Sequence, residues 1–375
     1  MSRGEPGSTK SAVLRPEVGT SRGRTLIGAL VPLSRPAWLD AGRHLLAGLK
    51  EGVAAVNAAG GLLGAPVELM VADTSGGGAR VVEAMSDMAL AGVAGFAGEY
   101  HSVVARQAAT MADTLQLPFL CSSAVLDHLT ERPSEWVARI APRQSRGWRI
   151  YADFLVASGH VSVALAVQRN LYWSAGAGIL RERLSSLGTD SPVFDVDTMS
   201  VAALCDAVAL SKASAVLVLA GHPQPAIAIV EALRADRRLD GILIGAPAGQ
   251  PEFEEWVAAL AQSGSAIPFL RYLPDSLTAS GFVVEARLRK RLDASPSFVA
   301  FEGYDTVISL AEALRNARAN SPEDVWSPVV VEGTRGTIRF TRPHGATAWE
   351  WADAPIQVVD RDPLDSNRFR ILRSG

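Results

Sequence analysis

The sequence predicts an α/β protein of two doubly wound lobes, each a parallel sheet with helices on both faces. From residue 25 to residue 245, short β-rich apolar runs alternate with segments of helical periodicity, the pattern that builds parallel sheets. The chain has 375 residues, 48% of them hydrophobic, which suffices for about two domains with a core each. Two such sheets facing each other leave a cleft, and ligands of open α/β sheets sit outside the carboxyl ends of the strands.

Residues 1–24 are polar and rich in Gly, Arg and Ser, and are expected to form a disordered leader. They hold no apolar stretch of the length a secretory signal needs, so the chain as written is expected in the cytoplasm, and outside it if the start codon is misassigned. Residues 25–33 form an apolar run ending near Pro32; from 39 to 59, Leu45, Leu46, Leu49, Val53 and Val56 recur at helical spacing. That is a strand, then a helix. Gly60 and Gly61 can take the positive φ that ends the helix, and Pro66 leads into an alternating strand over 67–72. Helix 79–91, strand 93–98, helix 101–115 and strand 117–122 complete a first series. A second series places strands at 136–141, 161–167, 193–197, 214–220 and 241–245, with helices at 144–158, 175–187, 200–210 and 225–235, and closes near 267–273. Helices at 277–292 and 298–318 follow, then β-rich pieces at 337–340 and 356–359. The apolar runs at 161–167 and 213–220 are far shorter than the roughly 20 residues that span a bilayer.

Composition narrows the chemistry. The 36 basic and 39 acidic residues give a formal charge of -3, and no basic stripe gathers to track nucleic acid. Cys121 and Cys205 each lie in an apolar run and are expected to be small buried hydrophobes. There is no GxxxxGK[ST], HExxH, CxxC or GxSxG motif, and Gly176-Ala177-Gly178 has Arg181 where a dinucleotide fingerprint needs its third glycine. The histidines at 44, 101, 128, 160, 222 and 344 show no spacing for a metal, and no cofactor is expected. His101 and His222 fall at strand ends facing the cleft, where ligand contact and a solvated loop role both remain open. Glu99, beside Tyr100, has no second carboxylate fixed nearby and reads as a charge on the cleft rim rather than a general acid.

Ile27-Gly28-Ala29-Leu30-Val31-Pro32-Leu33-Ser34, then Gly48 with Val56-Asn57-Ala58-Ala59-Gly60-Gly61-Leu62-Leu63-Gly64, then Val71-Ala72-Asp73-Thr74, follow in a characteristic order. Gly98-x-x-x-Ser102, Leu117-Pro118-Phe119, Leu129-Thr130, Arg139-x-x-Pro142, Gly303-Tyr304-Asp305 and Gly336-x-Ile338-x-Phe340 continue it. Over about 25–345 the chain resembles the leucine/isoleucine/valine-binding family of type I periplasmic binding proteins. The resemblance implies two lobes joined by three hinge crossings, near Pro142, Pro274 and Val325. Lobe 1 would comprise 25–142 plus 275–325, and lobe 2 143–274 plus 326–375. It also implies closure on a small solute with no chemistry performed. In the first lobe it implies anchoring by a hydroxyl and backbone amides in the loops carrying Tyr100, His101 and Ser102, and Ser122 and Ser123. In the second it implies aromatics at Tyr172 or Trp173 and contacts from His222 and Gln250, with Trp38 as a further wall. Ordinary core packing remains open for Trp38, Tyr172 and Trp173.

A serine hydroxyl and free amides at a helix N-terminus suit a carboxylate or carbonyl oxygen. Val125 replaces the hydroxyl usual in the second anchoring loop. The acid that amino-acid-binding members place after the strand ending Ile244-Gly245 is also missing, since the chain reads Ala246-Pro247-Ala248-Gly249-Gln250. Burying an ammonium without a partner costs several kcal/mol, so the expected ligand, in a family that takes amino-acid-like solutes, is an amide, a urea-like compound or an organic acid. Delivery to an ABC permease is one expected role. The alternative is a cytoplasmic amide-sensor-type regulator acting on a partner protein. A hydrolase using the cleft would need a nucleophile or an acid/base pair, and no helix-turn-helix accompanies the pattern.

Overall fold

The computed structural model describes residues 20–21, 23–75, 77–319 and 325–375. In chain order the first lobe holds β1 (Thr20–Ser21), β2 (Arg24–Val31), α1 (Pro36–Ala58), β3 (Val67–Asp73), α2 (Gly78–Leu90), β4 (Phe96–Gly98), α3 (Ser102–Leu115), β5 (Phe119–Cys121) and β6 (Val137–Arg139). The second holds α4 (Gln144–Ala157), β7 (Val163–Val167), α5 (Leu171–Ser186), β8 (Val193–Asp195), α6 (Val201–Ser211), β9 (Ala215–Leu219), α7 (Ala226–Ala235), β10 (Leu243–Gly245), α8 (Glu254–Leu260) and β11 (Phe269–Arg271). Then follow α9 (Ala279–Leu292), α10 (Phe298–Ala319), β12 (Val330–Glu332), β13 (Thr337–Thr341), β14 (Trp349–Trp351), β15 (Gln357–Asp362) and β16 (Asp365–Ser374).

Each lobe is a sheet between two helical layers. In the first, β3, β2, β4, β5 and β6 run parallel; in the second, β10, β9, β7 and β8 do. β7 and β9 are buried along their whole length, as strands covered on both faces must be. One apolar core runs from beneath α1 and α10 through the hinge to α4 and α5, and separate cores fill the outer faces under α2 and α3 and under α6 to α8. Cys121 and Cys205 are free and buried, as expected. Among the described residues no helix is long and apolar enough to cross a membrane.

The structure departs from the sequence expectations at the crossings and at several element ends. β14 pairs in parallel with β6, Trp349 opposite Ala138, and carries β13 and β12 with it. Residues 330–351 therefore extend the first sheet, although the sequence assigns 326–375 to the second lobe. The third crossing lies between β14 and β15, past Trp351 rather than near Val325. Only the β15–β16 hairpin joins the second lobe, through β11. The reason is non-local: Glu135 accepts hydrogen bonds from Arg342 (2.6 Å) and Trp349 (3.3 Å), fastening the returning chain to the first lobe. Most of the expected leader lies outside the described residues, but Thr20 and Ser21 pair with Thr25 and Arg24, so strand pairing begins inside 1–24. Two helices start early. Pro36 opens α1, where its fixed φ and missing N–H cost nothing, so Trp38 is helical rather than in a loop. Asn170 caps α5 by accepting from the Trp173 amide, which makes Tyr172 and Trp173 helical too.

Candidate binding cleft

The carboxyl ends of β4 and β5 face those of β7, β9 and β10, with the start of α10 and the β11–α9 connection behind them. The lobes touch across this gap. Asp40 accepts a hydrogen bond from the Glu255 amide at 3.2 Å, and the Tyr100 ring meets Phe253 edge-on with centroids 6.0 Å apart. Phe253, Phe298 and Tyr272 continue the aromatic contact towards the hinge.

In the first lobe, Gly98 takes φ +117°, and a Cβ there would stand 2.4 Å from the Leu30 carbonyl oxygen. Glu99 follows at φ +69°, and this turn folds its carboxylate back beneath the start of α3. Its Oε1 accepts from the amides of Tyr100 (2.9 Å) and His101 (2.8 Å). Glu99 is fully buried, its Oε2 has no partner, and burial pushes its carboxyl up to about 7 against the pull of Thr74 and those amides. It is thus an internal group, not the rim charge the sequence suggests. His101 stacks on Trp38 at 3.9 Å, with Arg35 on the Trp38 ring at 4.2 Å. Burial and Arg35 hold His101 down at about 4, so it is neutral, and its Nδ1 is buried without a partner. Ser102 Oγ accepts from the amides of Val125 (3.1 Å) and Leu126 (3.4 Å), tying the two loops together. Ser122 donates to the Glu99 carbonyl at 3.3 Å and Ser123 to Ser122 at 3.5 Å.

In the second lobe, Trp173 is buried and packs on Trp148, which makes it a core residue. Tyr172 is the partly exposed one; its carbonyl accepts from Gln144 Nε2 at 3.2 Å. Burial together with the Tyr100 phenol raises its own phenol, and Tyr272 is raised in turn by both, so three phenols from lobe 1, lobe 2 and hinge converge. His222 Nδ1 lies 3.6 Å from Glu255 Oε2 while its Nε2 is buried without a partner; burial lowers its pKa. Gln250 donates Nε2 to the Ala220 carbonyl at 2.8 Å. No acid stands at 246–250, and Glu252 is spent on Arg271 (3.0 Å) and the Phe298 amide (3.2 Å).

The structure adds a residue that sequence reasoning missed. Glu302, in the second turn of α10, is fully buried. Arg335 Nη1 lies 3.4 Å from its Oε1, and Oε2 has no partner. Arg335 gives its closer contact to Asp305, Nε to Oδ2 at 2.9 Å. Burial pushes Glu302 up to about 8, opposed by Arg335 and the Ser123 hydroxyl. The available signal was an acid directly after the apolar stretch Phe298-Val299-Ala300-Phe301 and before Gly303-Tyr304-Asp305. Among the described residues no group of His, Cys, Asp or Glu is arranged to hold a metal ion.

Comparison with known proteins agrees with this architecture. The sequence profile described as "Periplasmic binding protein" matches residues 26–355. A branched-chain amino acid transporter substrate-binding protein of Streptococcus pneumoniae in complex with isoleucine superposes with a TM-score of 0.79 at 20% identity, covering 94% of this chain and 100% of that one. A leucine complex of an ABC transporter substrate-binding protein from Desulfitobacterium hafniense gives 0.77 at 18% identity, covering 93% and 99%. A benzoate complex of a solute-binding protein from R. palustris gives 0.76 at 15% identity, covering 94% and 96%. No curated protein sequence matches the chain.

Proposed function

The chain belongs to the type I periplasmic binding protein family, and from that premise we propose that it is a non-catalytic receptor that closes its lobes on one small polar solute for an ABC-type permease. One observation carries the reading. In the segments by which two lobes already in contact approach each other, Glu99 Oε2, His101 Nδ1, Gln144 Oε1, His222 Nε2, Gln250 Oε1 and Glu302 Oε2 are buried with no hydrogen-bond partner. Buried polar atoms in folded proteins are nearly all paired, and each one left unmade costs about 1–3 kcal/mol. A solute that completes these bonds in both lobes at once binds the closed arrangement better than the open one, and that difference drives closure. The aromatic side chains of Tyr100, Tyr172, Phe253 and Tyr272 would cover its apolar part.

The similar structures hold leucine, isoleucine and benzoate, which supports a solute of amino-acid or single-ring size. The test is a thermal-shift screen of amino acids, amides, ureas, amines and aromatic acids, followed by small-angle scattering with each hit. A ligand bound only by the folded state raises Tm, and the radius of gyration is expected to fall with it. A hit that leaves the radius unchanged counts against closure.

A further inference from the structure

Resting on the receptor reading, we infer that the anchoring group of the solute is a nitrogen hydrogen-bond donor, an ammonium or amidinium held by Glu99 and Glu302, and not a carboxylate. Six loop amides that could hold a carboxylate in the first lobe are already spent inside it. The Tyr100 and His101 amides point to Glu99 Oε1. The Ser122 and Ser123 amides point to the carbonyls of Gly98 and Glu99, and those of Val125 and Leu126 to Ser102 Oγ. Glu99 thus places a carboxyl of the protein on amides that an anionic solute could use, and once it ionises, above about pH 7, a second anion beside it meets like-charge repulsion in a low dielectric.

Four of the buried atoms left over are acceptors. Gln144 and Gln250 each donate Nε2 to a main-chain carbonyl, Tyr172 and Ala220. A carbonyl can only accept, so both amide orientations are settled and Oε1 is the free atom of each. With Glu99 Oε2, beside the Thr74 hydroxyl, and Glu302 Oε2, on a carboxyl beside the Ser123 hydroxyl, they make four buried acceptors drawn from both lobes and α10. Against them stand three buried unpaired donors, Arg335 Nη2, Trp148 Nε1 beside Tyr172 and the Thr74 hydroxyl beside Glu99, the first on a guanidinium already faced by Asp305 and Glu302. His101 and His222 can serve in either sense. The converging aromatic rings favour a cation on their faces as well.

Two isosteric series separate the possibilities: benzamidine, benzamide and benzoate, and isopentylamine, isovaleramide and isovalerate, titrated calorimetrically into the full chain at pH 8. The donor member of at least one series is expected to bind at least tenfold tighter than its carboxylate. Glu302→Gln and Glu99→Gln, which keep the shape, are each expected to weaken that binding at least tenfold. Carboxylates binding as tightly as their donor isosteres overturn the inference and leave the receptor reading standing. Unchanged affinity in both variants removes Glu99 and Glu302 from the anchoring role. Silence from both series and from the wider solute screen overturns the receptor reading as well.

Discussion

Glu99 holds a left-handed backbone conformation that costs a non-glycine residue about 1–2 kcal/mol, and its carboxylate offsets this by accepting two amides. Neither fact is visible in the string Gly98-Glu99-Tyr100, which is why the sequence reads the residue as a surface charge. The same burial that hides Glu99 and Glu302 raises both carboxyls above their ordinary 4.5, to about 7 and about 8. Asp73 and Thr74 face Glu99 alongside the two amides, with Cys121 close by; Arg335, Asp305, Ser123, Tyr100 and Tyr272 face Glu302. For a group raised on folding, the stabilisation is complete below its unfolded pKa and is lost as pH rises through the folded one. His44, His101 and His222, held low by burial, pull the other way up to about pH 6.5, so the Tm of the unliganded protein is expected to fall between about pH 6.5 and pH 8, and Glu302→Gln to flatten that fall. Equal slopes in both proteins would show that Glu302 keeps its charge in the fold. Affinity for a cationic solute has the opposite trend and rises over the same range as the two carboxylates form.

Among elements, α1 and α10 pack against each other with main chain nearly in contact. A Cβ on Gly48 would lie 2.0 Å from the Ala300 carbonyl oxygen, and one on Gly303 2.6 Å from that of Leu45. Both glycines belong to the segments that carry the family resemblance, so the sequence marked the positions while the packing explains them. Gly48→Ala is expected to cost about 1–3 kcal/mol through overpacking, read as a lower urea midpoint; an unchanged midpoint would mean that the crossing can open without loss. The start of α10 is also held by charge. Arg335→Met leaves Asp305 and Glu302 buried without their cation, which is expected to cost about 3–5 kcal/mol. A loss below 1 kcal/mol would indicate that both carboxyls are neutral in the fold.

For the whole molecule the decisive quantity is the balance between open and closed lobes. Asp40 of α1 reaches across the cleft to the Glu255 amide at the start of α8, and a net hydrogen bond of this kind is worth about 1 kcal/mol. Asp40→Ala should therefore leave the urea midpoint nearly unchanged. It is expected to weaken the solute about fivefold and to enlarge the unliganded radius of gyration in scattering. A lower midpoint with unchanged affinity would place the role of Asp40 within its own lobe, where Arg43 is its neighbour.

The sequence by itself determined the order of strands and helices between residues 25 and 245, because hydrophobic period is a local property that each segment carries alone; it missed the helix at 254–260 and the short strands at 330–332 and 349–351. It also determined the side of the sheets on which the cleft lies, and the absence of an acid at 246–250. Only the tertiary structure decided which lobe receives 330–351, since β14 finds β6 across more than two hundred residues of chain. Only it showed that Ser102 ties the two loops together, that Trp173 is buried against Trp148, that Glu99 turns inward, and that Glu302 comes towards the lobe junction from a helix outside every loop singled out beforehand. Those outcomes depend on backbone sign at a turn and on which groups meet after the chain has returned, and neither is encoded in the spacing of residues along it.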